Sequence, residues 1–293
     1  MTSPFDAFLQ QAWADHADHS VAVAARLRAD TPAPHTAEQL AALARLVVHL
    51  CGEHLGAFED GRWRLAALAS HPLADNNVQS TLRVGVASLS LAESGYADRA
   101  AFSIEEVIRS EAGAAAISLG RRETQRALAL LDDARARVAA LPDAAGTVHR
   151  PLAVACNNMA WELHDRGVAR SAGDTAAMLD IAAASRMHWA LAGTWLEVER
   201  ADYALALCHL SAGLPEQAQQ FAAQCLATCM RNEAPPHEQL FAHEALAKVG
   251  QARGDAAACA HHVAAAQAAF AQLSPDDQAS NHSTLAALQA MVR

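Results

Sequence analysis

The chain has 293 residues, of which 52% are apolar and 5% aromatic, and its formal net charge is −10. A single compact core stops growing at roughly 250 to 300 residues, so a chain of this length must divide into domains or extend by repetition. Neither half of the sequence is basic, which excludes the clustered Lys and Arg side chains that a nucleic-acid-binding surface needs.

The N-terminal stretch "MTSPFDAFLQQAWADHADH" lacks the basic start and apolar run of a signal peptide. No stretch approaches about 18 uninterrupted apolar residues, so we expect no membrane span and no membrane partner. Six cysteines lie in apolar helical patterns, which indicates buried, reduced thiols rather than the disulfide framework of a small secreted domain. Together these features predict a cytoplasmic protein. The cysteines are Cys51, Cys156, Cys208, Cys225, Cys229 and Cys259.

Paired helices are predicted along the whole chain, because alanine, a strong helix former with little side-chain volume, supplies much of the apolar content. Residues 1–30 form an N-terminal pair around "DHADH", which lacks a turn glycine. Residues 36–272 form the repeated pairs, and residues 275–293 form a break followed by a capping helix. The turn after Gly120 is predicted to be about two residues longer than the others. The predicted turn glycines are Gly56, Gly95, Gly120, Gly167, Gly213 and Gly254.

The last two pairs show the repetition most clearly. When Arg200–Leu226 is aligned with Phe241–Ala269 on their turn glycines, small residues coincide in the two segments. Small residues are needed where paired helices cross, and glycine permits the turn that joins them. The coinciding positions are Ala206 with Ala247, Ala218 with Cys259, and Cys225 with Ala266.

This arrangement resembles the tetratricopeptide repeat family, which shares the paired helices, the Leu-Ala near the middle of the first helix (residues 205–206 and 246–247), the turn glycine and the later small residues. The units lack the family's tryptophan near the start of the first helix. His209 and Gly250 stand where its tyrosine is common. Several units are nearer to about 40 residues than to the family's roughly 34. Other helix-pair solenoids therefore stay open.

The resemblance implies an all-α fold: an α-solenoid of about six to seven antiparallel helix pairs in a right-handed superhelix, with a C-terminal capping helix. It also implies a single domain over residues 1–293, whose concave groove is lined by the first helix of each pair. We therefore expect a noncatalytic scaffold or adaptor that binds a protein or peptide partner. The predicted groove residues are Asn157, Asn158, Trp161, His164, Arg200, Tyr203, Glu244 and Lys248.

The stretch "CNNMAWELHDRG" carries the strongest of these predictions. An amide can donate to and accept from an extended peptide backbone at once, and a tryptophan adds an apolar platform. Asn158 lies nine residues before Gly167, where the resemblance implies an asparagine that holds the ligand backbone. The alternatives are that both amides bond to a neighbouring helix, that Trp161 packs between units, and that Arg200 forms an exposed ion pair on its own helix, which stabilises little.

Fifteen histidines raise the question of a metal site. In "HLCGEH", His49 and His54 are five residues apart, which is off one face of an α-helix. Cys225 and Cys229 are four apart on one face, yet Cys225 falls where the repeat places a small residue between helices. We therefore predict no metal ion, no cofactor and no catalytic residue.

Two other functions stay open. An all-helical small-molecule receptor or enzyme would use a pocket near His188, Trp189 and Trp195, with His164 or His209 as acid-base groups. The same aromatic cluster is also explained as a hydrophobic plug between units. A homodimer would form if a terminal unit lacked a polar cap and buried its face against a second copy.

Overall fold

The computed structural model describes residues 3–141 and 146–292. Within these ranges the protein consists of fifteen α-helices, one π-helical turn and one 3-10 turn, with no strand, which confirms the predicted all-α class. Residues 1, 2 and 293, at the ends of the predicted terminal segments, lie outside the described part. Among the described helices, none combines the length and the apolar composition that a bilayer crossing requires.

Consecutive helices pack against each other in several places, among them α5 with α6, α6 with α7, α10 with α11 and α12 with α13. The π turn follows α3 directly. The bounds are α1 Pro4–Asp15, α2 Ser20–Ala29, α3 Ala37–His49, the π turn Leu50–Leu55, α4 Phe58–Leu68, α5 Asn76–Ser94, α6 Ile104–Gly120, α7 Thr124–Ala139, α8 Gly146–Asp165, the 3-10 turn Gly167–Ala169, α9 Ala172–Ala192, α10 Trp195–Ser211, α11 Pro215–Arg231, α12 Pro236–Ala252, α13 Ala256–Phe270, α14 Pro275–Ser280 and α15 His282–Ala290.

Five of the six predicted turn glycines adopt the left-handed backbone that glycine tolerates best. Gly120 is the exception, because α6 continues through it and the positive φ of 66° falls two residues later, on Arg122. The turn itself, residues 121–123, is as long as the turns at Gly213 and Gly254, residues 212–214 and 253–255, so the prediction of a longer turn is wrong. The left-handed glycines are Gly56, Gly95, Gly167, Gly213 and Gly254.

The small residues of the repeat are buried between helices, as their alignment predicts. All six aligned positions have at most 3% of their surface exposed. Gly250, which stands where the related family has tyrosine, lies against the start of α13. A Cβ on it would come within 2.7 Å of the Cys259 backbone nitrogen, so the two helices approach too closely there for a larger residue.

The chain divides into two compact units, Met1–Ala155 and Cys156–Arg293, and the boundary falls inside α8. Two apolar clusters lie within the described part of the first unit. One joins α1, α2 and α3 through side chains such as Phe5, Val23 and Leu46, and the other joins α3, α5 and α6 through Leu40, Leu82 and Ile117 among others.

Three apolar clusters among the described residues of the second unit follow its helix pairs. They join α10 with α11 and α12, α11 with α12, and α12 with α13 and α15. Leu288 of α15 packs in the last cluster, which agrees with a capping role for the C-terminal helix. The single domain over residues 1–293 and its superhelical form stay predictions.

Candidate functional site

The two adjacent amides of α8 lie at its surface. Asn158 is exposed and Asn157 half-buried, and the Nδ2 atom of Asn157 donates to Oδ1 of Asn158 at 3.2 Å. Among the described residues, this is the only side-chain hydrogen bond that either amide makes. The alternative in which a neighbouring helix satisfies both amides is therefore not the arrangement seen.

One turn further along α8, Trp161 begins a row of aromatic rings that crosses three helices. The Trp161 ring lies 6.3 Å from that of Tyr203 on α10, which lies 5.6 Å from Phe241 on α12. Phe241 in turn contacts His237 of the same helix at 4.9 Å. At its other end, Trp161 meets the His164 ring edge-to-face at 5.1 Å. Three helices, α8, α10 and α12, thus contribute to one row of rings.

A polar network underlies this row. The Tyr203 hydroxyl donates to Glu244 Oε2 at 2.9 Å, and the Lys248 ammonium lies 2.7 Å from Glu244 Oε1. Burial and the neighbouring Glu244 carboxylate raise the pKa of Tyr203 well above its ordinary value, so the hydroxyl stays protonated and acts as the donor. The three residues were predicted separately as groove positions, and the fold joins them.

Arg200 pairs with a residue that its sequence neighbourhood does not suggest. Its guanidinium binds the buried Glu238 of α12 through Nε at 3.1 Å and through Nη2, not an acidic residue of its own helix. These bonds raise the pKa of Arg200. They also lower the pKa of Glu238, although burial alone would raise it. The neighbouring Asp202 accepts from Arg186 instead.

His164 and Lys248 also line one cavity of about 350 Å³. Leu207 and Leu210 near the end of α10 and Gln251 near the end of α12 line the same cavity. Ring contacts, hydrogen bonds and this cavity connect Trp161, His164, Tyr203, Glu244 and Lys248, and with the two amides and Arg200 the predicted groove residues form one set on α8, α10 and α12. We call it the α8–α10–α12 row, and it comprises Asn157, Asn158, Trp161, His164, Arg200, Tyr203, Glu244 and Lys248.

The fold separates the aromatic residues near the end of α9 into a buried pair and a more exposed tryptophan. His188 and Trp189 are buried, at 2% and 9% exposure, and are not among the residues that line the cavity beside Trp195. Trp195, at the start of α10, is 36% exposed and lines a separate cavity of about 510 Å³ together with Arg186 and Arg231. His209 bonds within its own helix, where its Nδ1 donates to the Leu205 carbonyl at 2.8 Å. This histidine is not at that cavity.

Sequence reasoning missed a buried cluster around Glu199. Its Oε1 accepts hydrogen bonds from the thiols of Cys225 at 2.7 Å and Cys229 at 3.4 Å. Burial raises the pKa of Glu199. The spacing of the two cysteines predicts that they share a helix face, but only the packing of α10 on α11 shows that a carboxylate faces them. These three residues could hold a metal ion, as could His16, His49 and His54 in the first unit.

Comparison of the chain with known protein families, with curated proteins and with solved structures finds no match in any of the three.

Proposed function

We propose that this chain is a noncatalytic cytoplasmic scaffold whose pairs α8/α9, α10/α11 and α12/α13 stack as tetratricopeptide-like units. In this proposal the α8–α10–α12 row binds an extended segment of a partner protein. The architecture is an α-solenoid in which first helices lie side by side. The row of contacts from Trp161 through Tyr203 to Phe241 supports that order, because each ring belongs to the first helix of a different pair.

The observation that carries the proposal is the amide pair of α8. An exposed amide with no partner in the fold beyond its neighbour has donor and acceptor capacity left for a ligand. An extended backbone offers the matching acceptor and donor in each residue. The Trp161 ring, one turn away, supplies an apolar surface for a side chain of the bound segment.

The charges of the row favour recognition of a backbone over recognition of a charged end. Arg200 is paired with Glu238 and Lys248 with Glu244, and both carboxylates are buried. Neither cation is left over for a terminal carboxylate or a phosphate. Affinity must therefore come from the amides and the aromatic rings.

A library of random linear peptides, selected on the immobilised full chain, tests this function. The selected peptides are synthesised, and their dissociation constants are measured by fluorescence anisotropy. We expect Asn158→Ala to weaken binding about tenfold, the equivalent of one or two hydrogen bonds of about 1 kcal/mol each. The double variant Asn158→Ala, Trp161→Ala should lose detectable binding, while its circular dichroism spectrum stays that of the wild type.

The chain offers a matched control in Asn76 and Asn77, a second pair of adjacent, exposed amides at the start of α5. Asn76→Ala, Asn77→Ala should bind the selected peptides as tightly as the wild type does. Equal affinity of the wild type and of the Asn158→Ala, Trp161→Ala variant would contradict the proposed function.

The cavity beside Trp195 favours a second candidate, a receptor for a small anionic molecule. Its wall carries the Arg231 guanidinium, besides Arg186, which is paired with Asp202 of the same wall, and a cavity of about 510 Å³ is within the size range of small-molecule sites. Native mass spectrometry of the purified protein would show a bound small molecule. That mass should disappear in a Trp195→Ala, Arg231→Ala variant and persist in Asn158→Ala.

A further inference from the structure

Three imidazole rings meet at one surface of the first unit. His16 follows α1, His49 ends α3, and His54 lies in the π turn. The His49 ring centroid is 4.8 Å from each of the other two, which are 5.0 Å apart. One nitrogen from each ring lies within 4.8 Å of the others, and the Nε2 atoms of His49 and His54 are 3.1 Å apart.

The π turn is the reason that His49 and His54 share a face. In an α-helix, residues five apart point about 140° away from each other, so their spacing argues against a common site. A π turn bonds each carbonyl to the N–H five residues later, which brings such residues into line. Here the N–H of Gly56 bonds to the carbonyl of Cys51, and Gly56 then ends the turn with a φ of 61°.

Helix α6 holds this turn in place. A Cβ on Gly52 would lie 2.8 Å from the Ile117 side chain, so the turn packs directly on α6. At Gly120 of the same helix, a Cβ would lie 2.8 Å from the Glu53 side chain. Because Gly52 has no side chain, the turn packs closely on α6. Because Gly120 has none, Glu53 has room between the turn and α6, beside the histidines.

Two of the rings already have the tautomer that metal binding requires. His49 Nδ1 lies 2.7 Å from Glu53 Oε1, and His16 Nδ1 bonds to the backbone carbonyl of Trp13. A carboxylate and a carbonyl only accept, so both Nδ1 atoms carry the proton and both Nε2 atoms offer a lone pair. Histidine ligands of metal ions are usually oriented in this way by a carboxylate or carbonyl behind the ring.

We propose that His16, His49 and His54 bind one divalent transition-metal ion of the zinc class, with Glu53 and the Trp13 carbonyl orienting two of the rings. Imidazole nitrogen is a preferred ligand of Zn²⁺ and its neighbours. Tetrahedral bonds of about 2.05 Å separate ligand nitrogens by about 3.3 Å, close to the His49–His54 distance, so a movement of at most about 1.5 Å by His16 completes the site.

The site is only partly covered by protein. The His49 and Glu53 side chains keep 22% and 24% of their surface exposed, and His54 is exposed. Three protein ligands at a solvent-facing position leave room for water as a fourth ligand. The proposal concerns the first unit alone, so it is independent of peptide binding by the α8–α10–α12 row.

Equilibrium dialysis of the untagged full chain against Zn²⁺, after treatment with a chelator, measures the stoichiometry and the affinity. With Cys225 and Cys229 replaced by serine, which removes the other candidate metal-binding cluster, we expect one ion per chain, at least tenfold weaker binding in His49→Ala and in His54→Ala, and loss of binding when both are replaced. Glu53→Gln should weaken binding by about 10- to 100-fold, since it acts through the His49 ring.

A second histidine pair provides the matched control. His243 and His262 also approach with ring nitrogens 3.1 Å apart. The His261 ring lies 4.9 Å from that of His262, but these three do not form a metal-binding group among the described residues, so His243→Ala, His262→Ala should bind Zn²⁺ as the wild type does. Bound Co²⁺ should show the visible absorption that is typical of tetrahedral coordination. It should also quench the fluorescence of Trp13, which is recognised as the part of the emission that a Trp13→Phe variant lacks.

Two outcomes would overturn the proposal. One is that the wild type binds no Zn²⁺, which would leave the His49–His54 contact as a hydrogen bond only. The other is that His49→Ala, His54→Ala binds Zn²⁺ with the affinity of the wild type. Circular dichroism of each variant establishes that it is folded, and His54→Gln, which keeps a polar side chain of similar size, replaces any alanine variant that is not.

Discussion

The Glu106 carboxylate is buried where α5 and α6 pack, and it is ionised because the fold surrounds it with donors. The Ser80 hydroxyl and the Arg83 guanidinium each lie 2.6 Å from Oε1, and the Ser103 backbone N–H donates to Oε2 at 3.0 Å. These bonds, that of Ser80 first, lower the pKa of Glu106 to about 2 although burial opposes them. One side chain therefore caps α6 and ties it to α5.

Replacing this carboxylate by an amide should destabilise the protein in a pH-dependent way. We expect Glu106→Gln to lower the free energy of unfolding at pH 7 by about 1–3 kcal/mol, the range for hydrogen bonds to a charged group. A lowered pKa stabilises the folded state above the ordinary value of 4.5, and this contribution is lost as the pH falls from 4.5 towards about 2. Urea unfolding of wild type and variant across that window measures the difference.

Glu105→Gln is the matched control, because Glu105 is the preceding residue of the same helix and is only half-buried. Its free energy of unfolding should stay within about 0.5 kcal/mol of the wild-type value. A difference between wild type and Glu106→Gln that stays constant from pH 7 to pH 2 would show that the carboxylate charge does not contribute.

At the scale of elements, the π turn after α3 shows how packing overrides a helical pattern. The periodicity of α3 continues into Leu50 and Cys51, both buried, and nothing in that pattern marks a change of helix type. The change allows Gly52 to meet Ile117 of α6 and ends at Gly56, where the left-handed backbone suits glycine. The geometry of the turn therefore depends on a neighbour that is far away in sequence.

A side chain at the close approach should disturb this element. We expect Gly52→Ala to lower the free energy of unfolding by about 1–3 kcal/mol, because the added methyl group overlaps the buried Ile117 side chain. Thermal unfolding followed by circular dichroism measures the effect. If the variant also binds Zn²⁺ more weakly, the π turn and the proposed metal site are coupled.

Gly173 provides the comparison, since it lies in the first turn of α9 with only the Ser171 hydroxyl at 3.7 Å from its added Cβ. Gly173→Ala should be neutral or stabilise the protein by up to about 1 kcal/mol, as alanine does in a helix. Equal losses of stability in both glycine variants would show that contact with Ile117 is not the cause.

At the scale of the whole molecule, the cysteine side chains are buried in both units. All six are free and buried, with Cys51 in the first unit and the others in the second. Burial raises the pKa of Cys51 to about 11 and that of Cys208 to about 12, so few thiolates exist at neutral pH. Reduced, buried thiols were the prediction from their helical context, and this prediction is confirmed.

We expect no thiol to react with a water-soluble disulfide reagent in the native protein at pH 8, and six to react after unfolding in guanidinium. Val168→Cys, at a fully exposed position in the middle of the 3-10 turn, is the positive control and should react at once. Fast reaction of one or more native cysteines would show that the corresponding helices open readily. Mass spectrometry of the labelled peptides would identify the unit concerned.

By itself the sequence determined the helical class and the positions of most turns. These are local properties: a glycine such as Gly213 permits a left-handed turn whatever surrounds it, and small residues at a fixed spacing mark helix crossings. The tertiary structure alone decided which charged groups pair and where a helix changes type. Arg200 meets Glu238, Glu199 meets two cysteines, and His49 meets His54, because each contact depends on how closely two helices approach. That distance is set by packing between segments far apart in the chain, and a residue pattern along one helix does not contain it.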